Sequence, residues 1–247
     1  MDEQKRVFWD TMKLFKEIGL LPHVLLIGSW VEYVYEFAYY KDYYSNLRTR
    51  DLDFLVKNIN RPSNPIDIKQ ALTNNGYIMD VDSLTGTTKF FKENLLELEF
   101  LVMEKGRGQS EPYLIKPLNI RAEGLRHLDI LLNNTTQVSI DEYGMMLQIP
   151  LPQAYLLHKI IISDKRSDFK REKDLRSILN ILEYMKQYPQ ELHTLSYIYQ
   201  NRLLKSEQAK VFKYCNEYNI DLGFDLSRVN NNILIKDAVK RNFEMER

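Results

Sequence analysis

Apolar and polar residues follow two rhythms along this chain, and the change of rhythm divides it. Phe8, Met12, Phe15 and Ile18 recur at helical spacing, with Val7 and Leu14 widening the stripe and Gly19 behind it; this predicts an amphipathic helix over 5–18. The run Val24-Leu25-Leu26-Ile27 after His23 predicts a buried strand. Gly28-Ser29 follows, then a helix rich in aromatics over 30–44. Strands are expected at 52–56, 77–81, 88–91 and 95–102, and a short helix at 66–74 stopped by Asn74-Asn75-Gly76. Residues 103–111 read as a glycine-rich basic loop and 125–132 as a short helix or turn. Residues 137–140 and 145–149 read as a hairpin through Asp141-Glu142-Tyr143-Gly144. Past Pro150 and Pro152 the period becomes helical, with helices expected at 153–163, 170–187, 190–203, 206–218 and 231–243. The boundary is set near Pro150.

Composition narrows the class. With 247 residues, 44% hydrophobic and 28% charged, the chain can bury a sizeable core and is not of disordered type. Lys+Arg and Asp+Glu are both 34, which argues against a bulk non-specific nucleic-acid binder while leaving room for a local basic groove. Cys215 is the one cysteine, so an intrachain disulfide and a multi-cysteine zinc site are excluded. His23, His127, His158 and His193 show no metal-ligand spacing. The first residues are charged, with no signal-like apolar core behind them, and no apolar run is long enough to span a bilayer. The expectation is a cytoplasmic protein in a reducing compartment, without membrane contact.

The candidate chemistry centres on Arg50-Asp51-Leu52-Asp53-Phe54-Leu55-Val56. In a strand Asp51 and Asp53 share one face, about 7 Å apart, while Leu52 and Phe54 take the other. They are either a solvent-facing pair or carboxylates with a cation between them. Magnesium suits such a pair, because it prefers one or two carboxylates plus substrate phosphates. Gly28-Ser29 carries two readings as well. Ser29 with Glu32 three residues on makes a helix capping box. The same turn and helix N-terminus present N–H groups to a phosphate, although Glu32 competes for that positive field. Glu97 and Glu99 share a strand face further on, and Glu99 lies deeper in its apolar run. An unpaired carboxylate is expensive there, which makes Glu99 the better third acid.

Taken in order, the strand, Gly28-Ser29, the helix, Asp51-Leu52-Asp53 and the later strand with Glu99 resemble the nucleotidyltransferase superfamily of the DNA polymerase β type. More narrowly the chain looks like bacterial nucleotidyltransferase-fold proteins of uncharacterised or toxin–antitoxin type. Residues 148–159, Lys165-Arg166 and Lys173-Asp174-Leu175 are similar to their helical segment. The resemblance covers about residues 20–185. It departs in the long connection from Ser29 to Asp51, which holds Tyr33, Tyr35, Tyr39, Tyr40, Tyr43 and Tyr44. It implies an α+β fold: a mixed β-sheet flanked by helices as a catalytic domain over 1–150, then an all-helical domain over 151–247. It further implies that Asp51, Asp53 and Glu99 hold two magnesium ions, with manganese as an alternative. Gly28 and Ser29 would hold the β/γ-phosphates and Arg50 would assist. Lys159, with Lys173 as backup, would reach the triphosphate, and Asp174 would orient one of these lysines. A nucleoside monophosphate would pass from a nucleoside triphosphate to a hydroxyl on RNA (tRNA included), protein or a small molecule, releasing pyrophosphate. The competing expectation is a non-catalytic module of the same fold that binds a nucleotide or a partner. A third is a toxin-system component acting on tRNA ends, which needs Arg48, Arg50, Lys105, Arg107, Lys165, Arg166, Lys170 and Arg171 gathered on one side.

Overall fold

The computed structural model describes residues 2–40, 42–45, 49–104 and 106–226. Two compact units divide it, Met1–Leu151 and Pro152–Arg247. The helix expected at 231–243 lies outside the described residues.

In the first unit, helix α1 (Asp2–Glu17) leads into β1 (Val24–Ile27), α2 (Trp30–Ala38) and β2 (Asp51–Val56). Then come α3 (Ile68–Asn74), β3 (Ile78–Val81), β4 (Thr88–Lys92), β5 (Leu96–Met103), β6 (Tyr113–Ile115) and β7 (Ile120–Leu125). Helix α4 (Asp129–Asn133) precedes the hairpin β8 (Thr135–Ile140) and β9 (Met145–Pro150). The main sheet runs β1-β2-β5-β4-β3, with β7 also on β5 and β6 on β7. Pairs β2–β5 and β5–β7 are parallel and the others antiparallel, so the sheet is mixed.

Strand alternation decides which face of this sheet is the core. Leu52, Phe54, Phe90, Leu98 and Phe100 are buried. Phe15 of α1 packs on that face, 4.9 Å from the Phe54 ring and 6.3 Å from Phe100. The helix is held at its other end as well. The Gln4 amide donates to the carbonyls of Thr49 (2.8 Å) and Leu95 (2.9 Å), just ahead of β2 and β5. Phe8 stacks on Trp30 at 4.7 Å, which locks α1 to the start of α2.

Two expectations are corrected. The aromatic helix stops at Ala38 instead of running to 44, because Tyr39, Tyr40 and Tyr43 leave the helical path to pack ring against ring. Strands β6 and β7 were not foreseen; β6 is only three residues long, and in β7 the buried Ile120 and Ala122 alternate with the exposed Arg121 and Glu123 over just four positions before Gly124.

The second unit is helical: α5 (Pro152–Ile162), α6 (Asp168–Met185), α7 (Pro189–Arg202) and α8 (Lys205–Glu217). Nearly all of α5 is buried. One of its buried side chains is charged. Lys159 is 5% exposed, and its Nζ lies 2.6 Å from Asp174 Oδ1 and 4.9 Å from the centre of the Tyr155 ring. Arg166 Nε stands 3.4 Å from Asp174 Oδ2. A buried charge left without its partner is costly, so each half of this pair requires the other. Asp174→Ala should therefore lower stability by about 3–5 kcal/mol in urea unfolding. The double change Lys159→Met with Asp174→Leu should recover most of that loss. Equal stability of Asp174→Ala and wild type would remove the pair from the account of this unit.

Candidate functional site

The site begins where β1 ends. Strands β1 and β2 pair with Ile27 opposite Asp53, so the residue after Ile27 must turn beside Asp53. That residue is Gly28, at φ +71. A Cβ there would run into Asp53 Oδ2 and lie 3.0 Å from Asp53 Cγ. Glycine is needed twice, for the left-handed conformation and for the approach of the carboxylate. Ser29 follows in helical conformation and makes no side-chain capping bond. The capping box is thus corrected: an N-cap side chain works from an extended backbone, and Ser29 is already helical. Glu32 is buried and accepts a hydrogen bond from the Tyr43 hydroxyl at 3.2 Å. The Val31 and Glu32 amides bond back to the carbonyls of Gly28 (3.3 Å) and Ser29 (3.2 Å). The amides of Ser29 and Trp30 precede these bonds and lie at the positive end of the helix.

Beside this turn lies a row of charges set by the sheet. Reading across the registers, Ile27, Asp53, Glu99, Lys89 and Asp80 are successive partners on β1, β2, β5, β4 and β3. The next row carries Asp51 opposite Glu97, and Glu97 opposite Phe91. Partners in a sheet share a face, so Asp51, Asp53, Glu97 and Glu99 all project away from the Phe15 side. Asp51 is exposed and Asp53 half-buried.

Lys89 binds the far end of this row. Its ammonium is 2.9 Å from Glu97 Oε1, 2.5 Å from Glu99 Oε1 and 3.8 Å from Asp82 Oδ2. Burial alone would lower the Lys89 ammonium, but the hydrogen bonds to Glu99 and Glu97 outweigh it and hold its pKa above the usual lysine range. Burial pushes the Glu99 carboxyl up; Lys89 opposes that shift, and the neighbouring Glu97 adds to it.

The sheet therefore brings Asp51, Asp53 and Glu99 to one face beside Gly28-Ser29. Their carboxylates do not close on a common point: among the described residues, no three His, Cys, Asp or Glu side chains form a group that could hold a metal ion. Asp51 and Asp53 by themselves match a cation that takes two carboxylates and completes its shell with phosphate oxygens, as magnesium does. Arg50 is exposed, and one guanidinium nitrogen lies 3.5 Å from the Asn94 carbonyl. Lys159 is paired with Asp174 in the helical unit, and Lys173 is half-buried on α6. Of the expected basic residues, Arg48 and Lys105 lie outside the described residues.

Sequence reasoning missed Lys89. The alternation of β4 sets it opposite Phe90 and so on a polar face. What places it against Glu99 is the β4–β5 register, which one sequence does not reveal.

No helix among the described residues is long and apolar enough to cross a membrane. No curated protein matches the sequence. Among solved structures, an antigenic nucleotidyltransferase-like protein from Paracoccidioides brasiliensis aligns at 17% identity and TM-score 0.44, over 84% of this chain and 92% of that one. A tRNA nucleotidyltransferase complexed with a primer tRNA and an incoming ATP analog aligns at 13% identity and TM-score 0.27, over 84% of this chain and 60% of that one. Likenesses this distant carry no weight here. The family profile does, because it matches residues 8–198, well over half of the chain, and so takes in the Gly28 turn, the carboxylate face and the first part of the helical unit: the chain belongs to the nucleotidyltransferase family.

Proposed function

We propose that this chain transfers a nucleoside monophosphate from a nucleoside triphosphate to a hydroxyl acceptor, with Asp51 and Asp53 as the ligands of a divalent ion. One observation carries the reading. The β1–β2 register packs the Gly28 turn onto Asp53, so the helix end suited to a phosphate and the carboxylates suited to a metal occupy one spot.

Each residue has a task in this reading. The Ser29 and Trp30 amides and the Ser29 hydroxyl hold the terminal phosphates. Asp51 and Asp53 would hold the divalent ion. A bound magnesium or manganese supplies Lewis-acid stabilisation of the charge that develops on the displaced pyrophosphate. Glu32 is turned to Tyr43, which spares the helix end a carboxylate that would repel phosphate. Glu99 lies beside Asp53 in the register, where an attacking hydroxyl can give up its proton. The acceptor is a hydroxyl on RNA, tRNA included, on protein or on a small molecule, and the toxin-type action on tRNA ends is a special case of the first.

A second reading has an observation of its own. Lys89 holds Glu99, and no three-ligand metal group forms among the described residues. This favours a module that binds a nucleotide without transferring it, since fold alone does not establish chemistry.

Incubation with each α-labelled nucleoside triphosphate, magnesium and total RNA or cell lysate should label an acceptor. Asp53→Asn should reduce the rate by at least about a hundredfold, the scale of losing a group that stabilises transition-state charge. Label on no acceptor, with triphosphate binding intact, would favour the binding module. Gly28→Ala should weaken triphosphate binding by about tenfold or more, because the methyl displaces the Asp53 carboxylate and the alanine is strained at positive φ. Isothermal titration checks this, and wild-type affinity in Gly28→Ala would separate the turn from the site.

A further inference from the structure

Helix α1 reaches the entries of the two acid-bearing strands through one polar side chain. Gln4 stands four positions before Phe8, on the stripe that the buried Phe8, Met12 and Phe15 continue. The helical period calls for an apolar residue there. The Gln4 amide is half-buried and used twice. It donates to the Thr49 carbonyl at 2.8 Å and to the Leu95 carbonyl at 2.9 Å, across 45 and 91 positions of chain. A side-chain amide has two hydrogens, so this spends both. The partners also fix which way the amide points, because its oxygen in the same place would face two carbonyl oxygens.

The two carbonyls are a matched pair. Thr49 lies two residues ahead of Asp51 and Leu95 two residues ahead of Glu97, and Asp51 and Glu97 are register partners. Strands β2 and β5 run parallel, so no hairpin turn sets their alignment. Asp51 opens β2 and is exposed, so packing contributes little to its position. What holds this end is hydrogen bonding. The Glu97 amide donates to the Arg50 carbonyl at 2.9 Å, and the Asp51 amide donates to the Thr49 hydroxyl at 3.2 Å. Gln4 adds a bridge from outside the sheet that ties both strand entries to one group. Resting on the proposed reading of the site, we propose that Gln4 is a positioning residue: its amide clasps the entries of β2 and β5 together and so holds Asp51 in place to bind the divalent ion. It acts through the two backbone carbonyls and takes no part in the chemistry. A polar residue on the apolar stripe of α1 is thereby explained, since its cost to the core is offset by the alignment of the acids.

Two measurements on the full chain test this without reference to turnover. Hydrogen exchange is read at the Glu97 amide. Manganese affinity is read by electron paramagnetic resonance in the presence of a non-hydrolysable nucleoside triphosphate. Gln4→Leu keeps the bulk and removes both donors; Gln4→Glu keeps the shape and turns an acceptor toward two carbonyls. Far-UV circular dichroism identifies which of the two is folded. Thr11→Val is the comparison, because Thr11 is on the same helix and its hydroxyl bonds to that of Tyr77, away from the strand entries. The Gln4 variants should exchange the Glu97 amide at least about tenfold faster and bind manganese at least about tenfold more weakly. Thr11→Val should leave both within about twofold of wild type, whatever stability it loses. Faster exchange with wild-type manganese affinity in a folded Gln4 variant would make the clasp a structural bond only and overturn the proposal. Unchanged exchange, or equal losses in Thr11→Val, would overturn it as well. Asp51→Asn is run alongside to separate the two claims. If it leaves manganese binding at the wild-type level, the Asp51–Asp53 reading is lost and the positioning role falls with it, although the exchange data still show whether the clasp exists. If it weakens binding, failure in the Gln4 variants falls on Gln4 alone.

Discussion

Parallel pairing of β2 with β5 is the constraint on which the site depends. It sets Asp51 opposite Glu97 and Asp53 opposite Glu99, and it gives both strands the same inward face. Sheet register moves in whole residues, and a shift by one would send every acid into the core and every phenylalanine into solvent. The register is therefore held by the apolar face as much as by the polar one. Phe54 and Phe100 sit side by side under Phe15, 5.8 Å between their ring centres. Burying these rings is worth several kcal/mol. That energy fixes the positions of carboxylates that would otherwise repel one another.

The second constraint is the turn after β1. Gly28 lets Asp53 stand against the start of α2, and Ser29 is left with a hydroxyl not spent on capping. The tyrosines downstream have a part here too. Tyr43 donates its hydroxyl to the Glu32 carboxylate at 3.2 Å, and Tyr35 donates its hydroxyl to the Pro150 carbonyl at 2.7 Å, tying α2 to the end of β9. The long connection between Ser29 and Asp51 is thus used for packing, which explains its aromatic content.

Much of this was legible in the chain. The period-two pattern around Asp51-Leu52-Asp53-Phe54 gave the acid face directly. The glycine before a helix gave the turn, and the apolar runs gave β1, the β8–β9 hairpin and helices α5 to α8. The capping box was misjudged because Ser29 and Glu32 satisfy its sequence pattern, whereas the outcome depends on the Ser29 backbone and on a tyrosine eleven positions away. Lys89 was hidden for a related reason: its meaning comes from strand register. The buried Lys159–Asp174 pair lies between, since helical spacing predicted the helices but not which face of α5 would carry a charge inward.

These residues form one working unit only if a divalent ion binds at Asp51 and Asp53 with the triphosphate on the Gly28 turn. Anomalous diffraction from crystals grown with manganese and a non-hydrolysable triphosphate tests this most directly. A peak contacting Asp51 and Asp53, with phosphate density at the Ser29 and Trp30 amides, is the expected result. A nucleotide bound elsewhere, or bound at this turn with no metal on the two aspartates, would contradict the account.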